Sequence, residues 1–569
     1  MDIEKSYREW LSSPLLSKEE KESLLSLSKE EKEDAFFMEA PFGTGGMRGK
    51  LGLGLNRLNR FTIGKAAYGF GLFLNKVYEG AKEKGVAISH DNRDHSRDFA
   101  LLCSDILNGL GFKTYLFDSL RPVPELSYAV RYAHCAGGIM ITASHNPKEY
   151  NGFKAYDDTG CQLTPDTIAP LLQILDELGD PLLLETKGNG RGEKIVFDAK
   201  IDDSYCSLVE SIQLHPELDK KGFKIIYSPQ HGASYESAMR IFSELGYEII
   251  PVKEQCVHDP YFGATKSPNP EIPVAWELSL EYAKRHHADL CVMTDPDGDR
   301  CGLAYLAKDG SYNRLTGNQS GALLIDYILS CRKASGTLPP DGVIYDTIVT
   351  STQGEDIARS YGVKVESFLT GFKYIGDRIG YYEKLGHGPT FLFGYEESYG
   401  CLISPFVRDK DGVQAILLYT EMALYYARQG LSLGEAYENL QKKYGYHDAD
   451  TISVYFEGLS GHLKMDEMMK GLRDEGLKEI DGIAVKEIRD YELDIVTFAD
   501  GHKEAIEGLP KSDVLKYVLS DGSTVTVRPS GTEPKIKFYI EAVAKEAKGV
   551  EGKVASIWKY LIKKLSLPC

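Results

Sequence analysis

Apolar stretches and glycines recur in a fixed order along much of the chain. A glycine precedes a short apolar stretch, a polar loop and a helical pattern follow, and a second glycine precedes another apolar stretch. The first glycines of the three copies and their matching second glycines are Gly85 and Gly111, Gly222 and Gly246, and Gly342 and Gly362. A glycine after a helix is typical of a left-handed cap, and strand, helix and strand at this length form a right-handed βαβ unit. The pattern therefore predicts three related α/β domains.

The two ends of the chain have different patterns. Residues 1–40 are charged and helical in pattern, and Ser17 to Glu20 has the sequence of a capping box, which predicts a helical arm on the first domain. Near Tyr446 the pattern changes to shorter helices and strands, which predicts a smaller α+β domain. We expect domains at residues 1–205, arm included, 206–314, 315–447 and 448–569.

Composition narrows the class of protein. The chain has 569 residues, a net charge of -18 and a sequence pI near 5.3, which argues against general binding of nucleic acid or of an anionic membrane. No apolar run is long enough to cross a bilayer, and the first residues lack an apolar signal core. The ten cysteines are scattered without a Cys-x-x-Cys pair, which is typical of reduced thiols in a cytoplasmic protein.

A candidate nucleophile lies between Gly138 and Pro147. Residues 139–142 are apolar or β-branched and predict a buried strand, which Pro147 cannot continue. Ser144 and His145 should therefore lie on a loop at the carboxyl end of a strand, where open α/β sheets bind ligands. A serine beside a histidine is a candidate nucleophile with a proton carrier, although both are also ordinary turn residues.

A candidate metal site follows the strand-like residues 290–293. Asp295, Asp297 and Asp299 alternate along the chain, so an extended loop places their carboxylates on one side, where they repel each other unless a cation lies between them. Oxygen ligands in this number favour Mg²⁺ or Mn²⁺. The loop is not an EF-hand, because Arg300 stands at its sixth position. It also resembles the nucleophile loop of haloacid dehalogenases, in which the first aspartate attacks phosphorus.

Other stretches combine cations, hydroxyls and glycines. Residues 528–537 hold one arginine, two hydroxyl side chains, a glycine and two lysines, which predicts a phosphate-binding loop. Residues 394–400 place two carboxylates and a serine between glycines, which suits recognition of sugar hydroxyls. Residues 42–50 form a glycine-rich loop with Arg48 that fits neither a Walker A loop nor a dinucleotide-binding loop. Residues 370–373 and 408–412 add cations on predicted loops.

Taken together, these stretches resemble the α-D-phosphohexomutase superfamily. The matching motifs lie at residues 142–147, 295–300, 394–398 and 528–532, each in a different predicted domain, and the resemblance extends from residue 42 to about 540. Within the superfamily the chain is similar to the branch that contains phosphoglucomutase and phosphopentomutase. Gly45, where many members have serine, and Tyr395 within the third motif depart from the usual pattern. The resemblance implies an α/β fold with mixed sheets and four domains around a central cleft.

The resemblance also implies roles for individual residues. Ser144 would carry a phosphoryl group and, with Asp295, Asp297 and Asp299, would bind one Mg²⁺ per chain. Arg300 would contact the phosphoserine or the substrate, and Lys154 or His145 would be the general acid/base. The expected substrate-binding residues are Arg48, Thr370, Gly371, Lys373, Glu396, Ser398, Lys410, Arg528, Ser530, Gly531 and Thr532.

The implied activity is that of an isomerase. We expect a phosphosugar mutase that interconverts a sugar 1-phosphate and a sugar 6-phosphate, glucose above all, through a phosphoserine enzyme and a sugar 1,6-bisphosphate that also serves as activator. The alternatives are a phosphopentomutase, a phosphomannomutase, a sugar-bisphosphate synthase, a dehalogenase-type phosphatase and a sugar-phosphate sensor without turnover. The expected partners are small sugar phosphates, and the sequence leaves monomer or dimer open.

Overall fold

The chain folds into two compact units. The computed structural model describes residues 2–43, 45–186, 188–456, 461–530 and 535–567, apart from the side chain of residue 462. The first unit contains Met1–Gly317 and Phe372–Ser432, and the second contains Asn318–Gly371 and Leu433–Cys569. The stretch predicted as the third domain is therefore shared between the two units.

The helices and strands are numbered in chain order. The α-helices are α1 (Ile3–Ser12), α2 (Lys18–Leu25), α3 (Lys29–Phe36), α4 (Arg60–Val77), α5 (Ala81–Lys84), α6 (Ser96–Gly109), α7 (Val123–Tyr132), α8 (Pro165–Glu177), α9 (Lys200–Glu210), α10 (Tyr235–Glu244), α11 (Glu277–His286), α12 (Gly317–Ala334), α13 (Gln353–Ser360), α14 (Lys373–Leu385), α15 (Gly412–Arg428), α16 (Leu433–Tyr444), α17 (Gly461–Glu475) and α18 (Lys553–Leu565). Short 3₁₀ turns lie at Lys253–Gln255, Pro273–Trp276 and Ala547–Gly549. The strands are β1 (Phe42–Gly43), β2 (Gly46–Lys50), β3 (Val86–His90), β4 (Thr114–Leu116), β5 (Gly137–Ile141), β6 (Tyr150–Tyr156), β7 (Lys194–Val196), β8 (Lys224–Ser228), β9 (Glu248–Pro251), β10 (Leu290–Thr294), β11 (Cys301–Leu306), β12 (Tyr312–Leu315), β13 (Gly342–Thr347), β14 (Lys364–Phe368), β15 (Thr390–Tyr395), β16 (Cys401–Leu402), β17 (Tyr446–Tyr455), β18 (Glu479–Ile480), β19 (Ile483–Asp490), β20 (Ile495–Phe498), β21 (Lys503–Ala505), β22 (Leu515–Leu519), β23 (Thr524–Pro529) and β24 (Lys535–Ala544).

The three predicted βαβ units are present. In each, two parallel strands flank one helix: β3, α6 and β4; β8, α10 and β9; and β13, α13 and β14. At Gly246 and Gly362, where helix gives way to strand, φ is 75° and 74°, the left-handed conformation expected of glycine after a helix. The hydrophobic pattern therefore predicted these units correctly.

Two mixed sheets of the first unit position the candidate residues. The seven-stranded sheet has the order β1-β2-β6-β5-β3-β4-β7, and the five-stranded sheet has the order β12-β11-β10-β8-β9. Strand β5 lies parallel to β3 and antiparallel to β6, while β10 lies parallel to β8 and antiparallel to β11. Both β5 and β10 are buried along their whole length, and a loop follows the carboxyl end of each strand.

Apolar packing holds these sheets in place. Helices α4, α6 and α8 cover the first sheet through a core that includes Phe70, Ile88, Ile139 and Phe153. A second core around the fully buried Trp276 contains Cys291 and Met293 of β10. None of the nine cysteines among the described residues forms a disulfide, and all but the half-buried Cys256 are buried.

The N-terminal arm is helical, as predicted, and Ser17 forms the predicted capping box with Glu20. Helices α1 to α3 share an apolar cluster in which Trp10 packs edge-on against Phe36 and Phe61. The backbone N–H of Asn56 donates to the carbonyl oxygen of Ala35 at 2.9 Å. The arm therefore packs on the segment that follows β2.

The second unit is built around a larger antiparallel sheet. Its strand order is β17-β24-β23-β22-β19-β20-β21, and β18 pairs with β19. Helix α18 covers this sheet through Ile557 and Leu561, which are fully buried. The parallel pair β13 and β14 also belongs to this unit. Among the helices that the structure describes, none has both the length and the apolar character needed to span a bilayer.

Candidate active site

Ser144 lies next to the aspartate triplet in the first unit. Strand β5 ends at Ile141 and β10 ends at Thr294, so residues 142–147 and 295–300 both follow buried strands, as predicted. The Ser144 hydroxyl donates to Asp295 Oδ2 at 2.9 Å, and Ser144 is only 3% exposed. Two motifs separated by about 150 residues along the chain thus form one buried cluster.

The loop that carries Ser144 is fixed by hydrogen bonds to its backbone. Ser144 has φ 53°, a left-handed conformation that costs a non-glycine residue free energy and persists only where the surroundings impose it. Its N–H donates to Thr142 Oγ1 at 2.8 Å, and Thr142 in turn donates to Asp91 Oδ2 at 2.7 Å. Arg93 Nη2 donates to the carbonyl oxygens of Ser144 and Asn146, both at 2.6 Å. The backbone at residue 144 is therefore fixed, and with it the direction in which the Ser144 side chain leaves the chain.

The aspartate triplet has the composition of a divalent-cation site. Asp295, Asp297 and Asp299 are buried, and each offers a carboxylate oxygen within 4.8 Å of the others. The Oδ1 atoms of Asp297 and Asp299 are buried and have no hydrogen-bond partner among the described residues. Buried carboxylate oxygens without partners are costly unless a cation takes them. The donor set is oxygen only and therefore fits Mg²⁺.

Two lysines contribute positive charge to the triplet. Lys154 Nζ lies 2.8 Å from Asp297 Oδ2 and 3.3 Å from Asp299 Oδ2, and Lys410 Nζ lies 3.1 Å from Asp299 Oδ2. Burial would raise the pKa of Asp299, but Lys410 and Lys154 outweigh it and hold that pKa below its usual range. Burial, together with Asp297 and Asp299, raises the pKa of Asp295 well above its usual range.

His145 is positioned to exchange a proton with Ser144. Its Nδ1 lies 3.2 Å from Ser144 Oγ. Burial, together with the nearby Arg300 and Arg48, lowers the pKa of His145 well below its usual range, so the imidazole is neutral at pH 7. Lys154 is different: burial opposes its charge, but Asp297 and Asp299 raise its pKa above the usual value, so it stays protonated.

Two arginines, Arg48 and Arg300, lie near Ser144 and His145. Arg48 is on β2, is solvent-exposed, and donates to Asn146 Oδ1 at 3.0 Å. Arg300 directly follows the triplet, and its backbone N–H donates to Asp295 Oδ1 at 3.0 Å. Its guanidinium forms a close ion pair with Glu271, a residue that the sequence did not single out. Both arginines act electrostatically on His145, so their positive charges lie near Ser144.

Residues 394–412 bring further predicted residues to this cluster. The backbone N–H of Cys301 donates to the carbonyl oxygen of Tyr399 at 3.0 Å, and Arg300 forms a β-bridge with Gly400. A Cβ atom at Gly400 would lie 2.1 Å from Lys410 Cδ, so only glycine allows Lys410 to pass this close.

The Glu396 carboxylate is buried and acts electrostatically on both Arg300 and Lys410. Ser398 is half-buried, and Lys373 is buried at the start of α14.

The remaining predicted residues belong to the second unit. Thr370 and Gly371 follow β14, and the Thr370 hydroxyl is buried without a hydrogen-bond partner among the described residues. Arg528 lies on β23 opposite Lys537 of β24, and the Ser530 N–H donates to the Lys535 carbonyl at 2.8 Å. Gly531 and Thr532 lie outside the described residues. Their role in a phosphate-binding loop stays a prediction.

Family descriptions match along most of the chain. The phosphoglucomutase/phosphomannomutase family has models for four domains. Its α/β/α domains I, II and III match residues 39–180, 203–308 and 316–444, and its C-terminal domain matches residues 464–555. Phosphoglucomutases of Staphylococcus epidermidis and Staphylococcus aureus are each 36% identical to the chain. These alignments cover 90% of this chain and 92% and 91% of the relatives. The chain belongs to the phosphoglucomutase/phosphomannomutase family.

Solved structures agree with this family at the level of the fold. A putative phosphomannomutase from Thermus thermophilus has a TM-score of 0.68 at 21% identity and covers 93% of this chain and 99% of its own. The open form of pp63/parafusin, a Paramecium phosphoglucomutase, has a TM-score of 0.64 at 18% identity and covers 91% and 95%. The family match and the phosphoglucomutase relatives confirm the predicted superfamily and isomerase class, and these structures agree with the predicted α/β fold with mixed sheets.

Sequence reasoning missed three residues that lie in or beside this candidate site. Asp91 and Arg93 lie just after β3, the strand beside β5, and together they fix the backbone of residues 142–150. A signal was present, because the polar run that begins at His90 follows an apolar strand in the same way as Ser144 does. Glu271 lies in a long loop before a 3₁₀ turn, where no pattern in the sequence connects it with Arg300.

Proposed function

We propose that the protein is a phosphoglucomutase that interconverts α-D-glucose 1-phosphate and glucose 6-phosphate. A phosphoryl group carried by Ser144 passes to the substrate, the resulting glucose 1,6-bisphosphate turns end over end, and Ser144 takes back the other phosphoryl group. The observation that carries this proposal is the 2.9 Å contact between Ser144 Oγ and the buried aspartate triplet. Curated relatives named phosphoglucomutase, 36% identical over 90% of the chain, support glucose as the sugar.

The chemical step breaks the bond between phosphorus and Ser144 Oγ and forms a bond between phosphorus and a sugar hydroxyl oxygen. The sugar hydroxyl loses a proton and Ser144 Oγ gains one, so the step is balanced within the complex. We assign this proton exchange at Ser144 to His145, which lies 3.2 Å from the hydroxyl. Its neutral imidazole accepts the proton when Ser144 attacks the bisphosphate, and the imidazolium so formed returns the proton to Ser144 Oγ when the phosphoryl group leaves for the sugar. Lys154, held protonated by Asp297 and Asp299, instead stabilises negative charge.

One Mg²⁺ per chain would be bound by Asp295, Asp297, Asp299 and the phosphorylated Ser144. The buried Oδ1 atoms of Asp297 and Asp299 support this ligand set. A bound Mg²⁺ neutralises charge on the group being transferred. Asp295 is poorly placed to act as a dehalogenase-type nucleophile, because Oδ2 accepts from Ser144 and Oδ1 from the N–H groups of Asp299 and Arg300.

The other predicted residues would bind the sugar phosphate. Arg48 and Arg300 would contact the phosphoryl group near Ser144, and Glu396 and Ser398 would accept hydrogen bonds from sugar hydroxyls in either orientation. The remaining proposed contacts are Thr370, Gly371, Lys373, Lys410, Arg528, Ser530, Gly531 and Thr532. We also propose a cytoplasmic location, which the free thiols of the nine described cysteines support.

Replacement of the nucleophile tests the proposal. Ser144→Ala should abolish mutase turnover, and peptide mapping of the wild-type protein should find phosphate on Ser144. Ser335→Ala, a change in an exposed serine outside the site, should keep full turnover. Phosphate on Asp295 would overturn the mechanism. A panel of glucose, mannose, ribose and deoxyribose 1-phosphates, each with a trace of bisphosphate, should rank glucose first, and preference for another sugar would overturn the substrate assignment alone.

A further inference from the structure

Arg300 has two carboxylate neighbours, Glu271 and Asp299. On one side its Nη1 forms a close ion pair with Glu271. On the other side its Nε lies 4.0 Å from Asp299 Oδ1, an atom that has no hydrogen-bond partner among the described residues. The side chain of Arg300 is only 17% exposed, so its charge needs a nearby partner. The guanidinium could therefore pair with either carboxylate.

Glu271 reaches Arg300 from a rigid part of the first unit. The Glu271 N–H donates to Asn269 Oδ1 at 3.0 Å, and the Glu271 carbonyl oxygen accepts from Arg314 at 3.3 Å. The preceding residue, Pro270, accepts a hydrogen bond from the indole of Trp276 at 2.8 Å. Trp276 itself is fully buried in the core behind β10. Because its backbone is fixed, Glu271 presents its carboxylate at a defined place.

We infer that Glu271 is a positioning residue that keeps Arg300 away from the carboxylate oxygens needed by the divalent cation. Without Glu271, a buried guanidinium would turn toward the nearest remaining acid, which is Asp299. It would then neutralise an oxygen that the cation requires and leave the position from which, in the proposed function, it would contact the phosphoryl group. Glu271 thus acts on the metal site and on catalysis through Arg300, without touching either the cation or the substrate.

Metal affinity tests this inference separately from turnover. Mn²⁺ binding by the full-length protein, measured by calorimetry with Mn²⁺ as the probe, should be about tenfold weaker in Glu271→Gln, and Glu271→Asp should recover part of the affinity. The matched control is Glu277→Gln, a nearby glutamate that is exposed and pairs with Lys266 at 2.7 Å. Its affinity should equal that of the wild type. The catalytic consequence, a lower kcat for Glu271→Gln, rests on the proposed function.

A double variant separates positioning from general structural support. If Glu271 acts through Arg300, Glu271→Gln should have no further effect on Mn²⁺ affinity in the background of Arg300→Met. An additional loss in the double variant would overturn the inference, as would wild-type affinity in Glu271→Gln or an absence of Mn²⁺ binding in the wild-type protein. Failure of the proposed function shows itself differently, as missing turnover or missing phosphate on Ser144 in a wild-type protein that binds Mn²⁺.

Discussion

Arg93 Nη2 donates to the carbonyl oxygen of Ser144 at 2.6 Å, and this contact joins the end of β3 to the loop that follows β5. The same guanidinium donates to the carbonyl oxygens of Asn146, Pro147 and Tyr150, and through Nε to Asp91. The side chain of Arg93 is fully buried. One planar cation therefore binds three backbone acceptors of the loop that carries the candidate nucleophile and a fourth at the start of β6.

Arg93→Lys should weaken both the fold and the site. A lysine keeps the charge, but its ammonium group cannot reach four carbonyl oxygens at once. We expect the free energy of unfolding in urea to fall by about 2–4 kcal/mol and mutase kcat to fall at least about tenfold. Arg97→Lys, an exposed arginine on α6, should change neither quantity. Equal results for the two variants would contradict the positioning role of Arg93.

Gly400→Ala should displace Lys410. The added methyl group would meet Lys410 Cδ at 2.1 Å, so the lysine must move away from Asp299. The loss of one charge-assisted hydrogen bond predicts a decrease in kcat of about tenfold. Gly471→Ala on α17 is the control, because a Cβ there meets no atom within 4 Å. It should leave kcat unchanged and stabilise its helix by about 0.5–1 kcal/mol. A fully active Gly400→Ala variant would show that the Lys410 contact is dispensable.

Asp297→Asn should remove one proposed cation ligand. An amide is a weaker ligand than a carboxylate, and the change also leaves Lys154 with one carboxylate fewer. The Mn²⁺ affinity of the variant, measured by calorimetry, should be at least about tenfold weaker than that of the wild type. Turnover of the wild-type protein should stop when a chelator removes the metal. Asp309→Asn, in an exposed turn, should bind Mn²⁺ as the wild type does. Unchanged turnover of the wild type in chelator would refute the metal requirement.

Glu383 pairs with two arginines, and this makes the free energy of unfolding depend on pH in the acid range. It pairs with Arg131 and Arg408, both at 2.8 Å, and the hydrogen bond from Arg131, with the charge of Arg408, lowers its pKa from 4.5 to about 2. The folded-state pKa lies below the unfolded one, so the stabilisation is fully present above pH 4.5 and is lost as pH falls toward 2.

Glu383→Gln measures this contribution. Because the Glu383 side chain is half exposed, solvent screening limits the effect to about 1 kcal/mol of unfolding free energy at pH 7. The difference in unfolding free energy from the wild type should shrink when it is measured below about pH 4. Glu185→Gln, a glutamate outside this ion pair, should show no such difference at pH 7. A constant difference across the pH range would contradict the ionic origin.

Glu541 connects two parts of the second unit. From β24 it accepts hydrogen bonds from Ser351 Oγ at 2.5 Å, from the Thr352 N–H at 2.9 Å and from His447 Nδ1 at 3.0 Å. Glu541→Ala leaves these three donors, two of them on buried residues, without their acceptor, so the free energy of unfolding should fall by about 3 kcal/mol. Glu546→Ala, an exposed residue two positions beyond β24, should change it by less than about 0.5 kcal/mol. A similar small change for Glu541→Ala would refute the connecting role.

The sequence predicted those parts of the site that are local along the chain. Ser144 and the aspartate triplet could be found because each follows a buried strand and contains a recognisable group of chemical functions. The ion pair of Glu271 with Arg300 could not be found in this way, because its partners come from different elements of the first unit. Likewise, the sequence placed Lys410 on a loop, but only the fold brings it within 3.1 Å of Asp299. Long-range partners depend on packing, which a single sequence does not display.

The backbone at residue 144 restricts which amino acid could serve there as the proposed phosphate carrier. Threonine offers the same hydroxyl chemistry, but its branched Cβ is poorly tolerated at a φ of 53°. A threonine would have to pull the loop away from Arg93 and the triplet to relieve that strain. The choice of serine at this point thus follows from the shape of the chain, and the enzyme could not exchange one hydroxyl amino acid for the other without rebuilding the turn.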